Sequence, residues 1–384
     1  MCNDAIELLR NARRLYYFVE LLEIRQWLIA RLLESNVISD ETLECELRNA
    51  SAVSKEWAEV LIDLYIEYEV SPYMEDFGYL YLETESYCIN DIVRIRRKML
   101  GLTQLQVAEG ACDERTVRRT EKHQMDPQMY AVRGMFKNLG LYPEYVRARV
   151  ISTDPEALEL YRTISKYANE RNEKEWEIAS NTLKIKVNTA LIHNKQVIEF
   201  ERIMFDLYTC KKITPEESVE QIKKVLEYTV PLDAIGSDKE WYLTKQELLC
   251  LFNMGVGKGE VATNEYWRLL KEYCNIQIQE NSIDERIGTN ELIISGLINY
   301  LGSIGQYQES SKFVECFLRV SLKKRRMRTL AKCLYHDMWN NNELRSQTDG
   351  KRVPLKDNPA LKRCILLSEI TKDKKLKNFL ENRL

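Results

Sequence analysis

The chain has 384 residues, 45% of them apolar and 30% charged, with only 14 Gly and 8 Pro. That apolar share is ample for two or three packed domains, and the scarcity of glycine and proline argues against an all-β or disordered chain. The net charge of −3 argues against a protein that coats nucleic acid. It also hides structure, because residues 1–88 hold 7 Lys+Arg against 18 Asp+Glu, residues 89–149 hold 12 against 7, and the remainder holds 37 against 34. A local basic patch between less basic flanks suits a module that docks in a groove.

Ten cysteines are scattered without a CxxC pair, and there are three histidines. That pattern implies no metal site and no cofactor. With no leader pattern at the start, reduced thiols in a cytoplasmic protein are expected. The longest apolar run, Leu292 to Leu301, is too short to span a bilayer.

Residues 5–34 form one long amphipathic pattern, with Leu8, Leu9, Leu15, Leu22, Leu28 and Ile29 near helical period. Ser39-Asp40 caps a next helix, and Ser54 to Glu69 predicts another, with Trp57, Leu61, Leu64 and Tyr65 on one face. After Ser71-Pro72 the tyrosine-rich stretch 73–86 reads as a further helix. Residues 1–86 are therefore an acidic helical region. It is either packing scaffold or a surface that masks a basic segment or joins subunits.

Residues 87–150 hold the most informative stretch, Leu102 to Lys122. Thr103 is a helix cap, and Gln106 three residues on completes a capping box. Gly110 permits a tight turn, and Asp113 caps a second short helix. In that helix Val117 points inward, while Arg115, Arg118, Arg119 and Lys122 recur at spacings of three and four and share one face. A short capped helix with a basic outer stripe is built to enter a groove lined with phosphates.

Residues 151–384 read as paired helices, roughly 154–171, 173–187, 190–210, 215–229, 244–256, 261–279, 289–303, 307–322, 326–341 and 358–382, the last breaking near 371. Asp154-Pro155-Glu156 and Thr214-Pro215-Glu216-Glu217 are strong start signals. A short helix also begins at Pro143. Two helices per ~34–40 residues is the signature of an α-solenoid. The fold class is all-α. A helical N-terminal region precedes a central helix-turn-helix and a C-terminal α-solenoid of degenerate repeats.

Two stretches carry resemblances. Leu102-Thr103-Gln104, Val107-Ala108, Thr116-Val117, Glu121 and Met125-Asp126-Pro127 resemble the Xre-type helix-turn-helix family. Here the turn GACDE is one residue short and Thr120 replaces the usual apolar residue. Leu297 to Leu318, with Leu301-Gly302, Gly305, Tyr307 and Ser310, resembles a tetratricopeptide repeat. Together they resemble the peptide-sensing regulators of Gram-positive bacteria (the Rgg, PlcR, NprR, PrgX and Rap group), except that those regulators usually begin with the DNA-binding domain.

The resemblance implies DNA-facing roles for Gln104, Glu114, Arg115, Thr116, Arg118, Arg119 and Lys122. Arg115 and Arg119 would donate in pairs to guanine O6 and N7. Glu114 would accept from cytosine N4 or pair with a nearby arginine. Gln104, Arg118 and Lys122 would hold phosphates. One of Arg94, Arg96, Arg97 and Lys98 would pair with Glu121. A peptide ligand would lie on the repeats against Asn253 and Asn299, with Asn264, Tyr266 and Tyr300 as weaker candidates, because an Asn amide both donates to and accepts from an extended backbone. The cluster Lys323, Lys324, Arg325, Arg326 and Arg328 could take a carboxylate or phosphate, or could be an ordinary helix end.

The expected function is a quorum-sensing transcriptional regulator that binds operator DNA as a homodimer. Its rival is a repeat scaffold whose helix-turn-helix serves only assembly. No membrane partner is expected, nor an enzyme: Gly255-Val256-Gly257-Lys258-Gly259 lacks the P-loop pattern, and no triad or metalloprotease motif occurs.

Overall fold

A computed structural model describes residues 1–35, 37–74, 89–141, 150, 152, 154–236, 240–279 and 287–382. Every regular element among them is helical. In chain order they are α1 (Cys2–Ala12), α2 (Phe18–Glu34), α3 (Glu41–Glu67), α4 (Ile89–Met99), α5 (Gln104–Ala108), α6 (Glu114–Glu121), α7 (Met129–Asn138), α8 (Pro155–Asn169), α9 (Glu173–Lys186), α10 (Ile192–Tyr208) and α11 (Pro215–Leu226). They continue with α12 (Lys245–Gly257), α13 (Glu265–Gln279), α14 (Ile287–Ser303), α15 (Tyr307–Lys323), α16 (Leu330–Asp349), α17 (Pro359–Ile370) and α18 (Lys374–Glu381). None is long and apolar enough to cross a membrane. The helix expected from Pro143, and all but the first two residues of that expected over 73–86, lie outside the described residues.

Contacts group the chain into two compact units, Met1–Glu85 with Cys274–Leu384, and Ser86–Tyr273. In the first unit α2 and α3 form a hairpin, and α14 to α18 pack as successive neighbours. The repeat-like segment behaves as its residues foretell. Gly305 takes φ 79, and the turn closes with Gln306 N–H donating to the Leu301 carbonyl at 2.8 Å. Ser310 is fully buried and its Oγ donates to the Ile298 carbonyl at 2.9 Å, so α14 and α15 approach closely there. Leu297, Phe317 and Leu318 are fully buried.

Two N-terminal expectations are corrected. The pattern over 5–34 is not one helix. It breaks at Arg13 (φ 55) and Tyr17 (φ 50), because residues 13–15 pair with residues 325–327. Leu15 N–H donates to the Arg325 carbonyl at 2.8 Å, and Met327 N–H to that of Arg13 at 3.2 Å. No glycine or proline announces the break. Nor does a helix begin at Ser54: α3 runs unbroken from its Asp40 cap, and Ser54 is buried within it, donating to the Ala50 carbonyl at 2.8 Å.

In the second unit α4 to α7 share one core of Val93, Val107, Val117, Val132, Met135 and Leu139. A second core centres on Trp176, which stacks on Phe205 with ring centroids 3.7 Å apart. Consecutive helices again pair, α8 with α9, α10 with α11 and α11 with α12. Capping boxes at Thr214/Glu217 and Thr244/Glu247 start α11 and α12.

Candidate nucleic-acid interface

α5 and α6 form two arms of a helix-turn-helix. Thr103 accepts from Gln106 N–H at 3.2 Å, and Thr103 N–H donates to Gln106 Oε1 at 2.8 Å. Gly110, at φ 66, makes the turn. Asn138 on α7 donates to the Val107 and Glu109 carbonyls at 3.0 and 2.7 Å and so closes the end of α5. Asp113 accepts from Thr116 N–H at 2.6 Å. Chiefly because of that bond, with help from the Thr116 side chain and the fields of Arg115 and Arg119 and against the opposing effect of burial, its carboxyl titrates below the usual range. The cap thus stays ionised at neutral pH, where it stabilises the positive end of the helix.

The inner side of α6 is locked. Val117 is fully buried, and Glu121 is held by Arg97 on α4 through Nε–Oε1 at 2.5 Å and Nη2–Oε2 at 3.0 Å. Arg97 is therefore the first-helix partner that the sequence left open among four candidates. Gln104 joins this cluster, its Nε2 donating to Glu121 Oε2 at 2.8 Å. That side-chain nitrogen is committed to orienting α5 on α6, whereas the sequence reading gave it to a phosphate. Thr120 is buried, with its hydroxyl unpartnered among the described residues. This is the polar exception that the departure from the motif led one to expect.

The outer side of α6 is open. Glu114, Arg115, Arg118, Arg119 and Lys122 are exposed, and Thr116 is half-buried. No hydrogen bond or ion pair ties the three arginines or Lys122 to any described residue. Four cations held outward at helical spacing, none in an ion pair with a carboxylate among the described residues, give a positive ridge free to meet an anionic surface. Three exposed apolar residues on the same domain, Leu105, Met129 and Tyr130, were not anticipated. Their only signal was an apolar residue next to a helix start, which does not tell outward from inward.

Arg96, one of the four basic residues of α4, is fully buried. It donates to the Leu139, Tyr242 and Thr229 carbonyls at 3.1, 2.9 and 3.3 Å and is paired with Glu247 at the start of α12. Glu247 also accepts from Thr229 Oγ1 at 2.6 Å, and Gln196 Nε2 donates to that same hydroxyl at 2.9 Å. A buried polar chain thus runs from the helix-turn-helix to three of the repeat helices or their connecting turns.

The residues suggested for a peptide are not gathered in one unit. Asn253, Asn264 and Tyr266 lie in the second unit, and Asn299 and Tyr300 in the first. Asn253 is half-buried and donates to the Leu249 carbonyl at 2.8 Å. Asn264 is buried and spends both ends of its amide on the chain: it donates to the Gly255 and Gly259 carbonyls and accepts from Tyr266 and Trp267 N–H. It is placed as a helix cap. Tyr266 and Tyr300 are buried, and Asn299 is exposed. Among the described residues no cluster of His, Cys, Asp and Glu is arranged to hold a metal ion.

A scan against protein-family models returned no match, and neither did a search of the curated proteins. Two solved structures are similar to this chain. One is Bacillus thuringiensis PlcR in complex with the peptide PapR7 and DNA, at 18% identity and TM-score 0.46, covering 77% of this chain and 100% of that one. The other is ComR from S. thermophilus in complex with DNA and its signalling peptide ComS, at 12% identity and TM-score 0.40, covering 77% of this chain and 97% of that one.

Proposed function

We propose that this protein is a sequence-specific DNA-binding transcriptional regulator that acts as a homodimer and whose helical repeats sense a short peptide. The observation that carries the DNA reading is the outer face of α6, which presents four exposed cations without an ion-pair partner among the described residues, on a helix braced from behind by Val117 and the Arg97–Glu121 pair. Arg115 and Arg119, with Glu114 and Thr116, meet base edges in the major groove. Arg118 and Lys122 hold phosphates. Residues 87–150 are the reading module, and residues 151–384 are the sensing one.

The dimer reading rests on α2. That helix is apolar on both sides: Phe18, Val19, Leu22 and Ile29 are buried, while Ile24, Trp27, Leu28 and Leu32 are exposed. A helix apolar all round is a helix that expects cover. Glu23 and Arg31 stand four residues to either side of Trp27. Two copies of α2 crossing antiparallel at Trp27 would therefore set each Arg31 against the partner's Glu23.

The peptide reading rests on the repeat hairpins and on the amides of Asn253 and Asn299, which suit an extended backbone. A bound peptide would act by favouring one arrangement of the two reading helices over another. Fluorescence anisotropy with a selected duplex at rising salt tests the DNA reading. Occupying about four phosphates gives a log–log slope near −4. Binding of equal strength to every duplex would favour the rival, a repeat scaffold with an assembly-only helix-turn-helix. A short-peptide library that leaves the melting temperature unmoved would remove the sensing part.

A further inference from the structure

Within the first unit, the last turn of α3, the body of α16 and the chain leading into α17 enclose a cavity of about 270 Å³. Leu334, Met338 and Val353 give it an apolar side. The walls are fastened by bonds of their own. Asn342 donates to the Val353 carbonyl at 3.0 Å and accepts from Val353 N–H at 2.8 Å, which pins the chain returning from α16. Asn358 accepts from Ala360 N–H at 3.0 Å and caps α17. Arg363 on α17 is paired with Glu67 at the end of α3. The cavity is therefore formed before any ligand arrives, as small-molecule sites usually are.

Two further charged groups line it, both on α16. Asp337 is half-buried, accepts from Asn341 Nδ2 at 3.0 Å, and is in no ion pair among the described residues. Burial, with the charges of Glu67 and Glu315, pushes its carboxyl up against the hydrogen bonds of Ser311 and Asn341. Asn341 Oδ1 accepts no hydrogen bond among the described residues, so it stands beside Asp337 as a second acceptor. Arg345 is exposed, two turns further along the helix, and makes no hydrogen bond or ion pair with any described residue. One carboxylate and one guanidinium thus line the same cavity, each without an opposite charge.

A carboxylate partly out of water gains from a cation beside it, and a guanidinium fork matches a carboxylate with two parallel bonds. A ligand that meets both groups carries one positive and one negative end. Eight helical residues set the Asp337 and Arg345 Cα atoms about 12 Å apart. Extended chain spans at most about 3.3–3.6 Å per residue, so two or three residues cover that distance once the two side chains take up the rest. The volume, just below the range of about 300–1,000 Å³ usual for drug-sized ligands, also asks for a small occupant. We propose that this cavity binds a di- or tripeptide with both ends free, its ammonium on Asp337 and its carboxylate on Arg345. Neither Asn253 nor Asn299 lines the cavity, so the loss of this site and the loss of peptide sensing at those amides would be separate results.

The test is calorimetric titration of the full chain with trialanine and with trileucine, beside their N-acetylated and C-amidated forms and beside free alanine. The variants are Asp337→Asn, which keeps the shape of the side chain, and Arg345→Gln, which changes an exposed and unpaired one. Both should keep the wild-type melting curve. The expected result is saturable one-to-one binding of at least one free tripeptide with a raised melting temperature, and at least tenfold weaker binding of each capped form and of alanine. Asp337→Asn should weaken the free peptide at least tenfold and no longer tell it from the acetylated one. Arg345→Gln should do the same for the amidated one. Absence of saturable binding by both free tripeptides overturns the proposal. So do capped forms or alanine that bind as tightly as the free tripeptide, or variants that discriminate as the wild type does.

Discussion

Arg96 and Glu247 form a two-pronged ion pair with neither side chain exposed, and through it the first helix of the helix-turn-helix is fastened to the start of α12. Removing one partner strands the other charge out of water, which costs about 3–5 kcal/mol, whereas replacing both with apolar side chains costs far less. Glu247→Ala should therefore lower the urea midpoint sharply, and Arg96→Met/Glu247→Leu should recover most of it. Equal midpoints for Glu247→Ala and the wild type would show that the pair carries no stability.

The same pair gives a pH dependence. Burial alone pushes the Glu247 carboxyl up, but the charge and hydrogen bonds of Arg96, with help from Thr229, outweigh it and hold the group below its usual value of 4.5. A group depressed in the folded state contributes stability that is fully present above its unfolded value and is lost as pH falls through the folded one. The urea midpoint should be level near neutrality with respect to this group and should decline below about pH 4.5. Glu247→Gln should flatten part of that decline. A variant profile parallel to the wild type would place the acid sensitivity elsewhere.

Gly134 on α7 faces the helix-turn-helix turn. A Cβ added there would stand 2.4 Å from the Ala111 Cβ and 2.8 Å from its Cα. Gly→Ala in a helix gains about 0.5–1 kcal/mol in propensity, while overpacking costs about 1–3 kcal/mol, and a backbone obstacle at this distance favours the larger figure. Gly134→Ala should destabilise the second unit in a thermal melt, and adding Ala111→Gly should restore part of the loss. A stabilised Gly134→Ala would mean that α7 does not press on the turn.

Trp27 and Leu28 stand at the middle of the exposed apolar face of α2, Trp27 being 59% accessible. Trp27→Glu with Leu28→Glu should convert the dimer to a monomer in sedimentation equilibrium while leaving the circular dichroism unchanged. A wild type that sediments as a monomer at every concentration would overturn this surface.

Legibility followed the range of the interactions involved. Local chemistry could be read directly, namely the capping box at Thr103, the Asp113 cap, the Gly305 turn and the spacing that turns Arg115, Arg118, Arg119 and Lys122 outward. Each is decided within a few residues by backbone hydrogen bonding and side-chain periodicity. What depends on distant partners could not be read. The break after Ala12 exists because residues 325–327 pair with the chain there. Arg96 looks like its neighbours Arg94 and Arg97 until Glu247, 151 residues away, claims it. Asn264 looks like a ligand amide until Gly255 and Gly259 fill it. Single residue types on a polar helix do not reveal which of them a remote element will bury.

The most direct test of the central claim is selection from a randomised duplex library by the full chain, run beside Arg115→Ala/Arg119→Ala and Arg118→Ala/Lys122→Ala. The account predicts one enriched operator for the wild type and loss of that preference in the first variant. In the second, binding should weaken evenly across sequences, with the salt slope reduced by about two per protomer. An enriched operator that survives unchanged in the first variant, or no enrichment by the wild type, would contradict it.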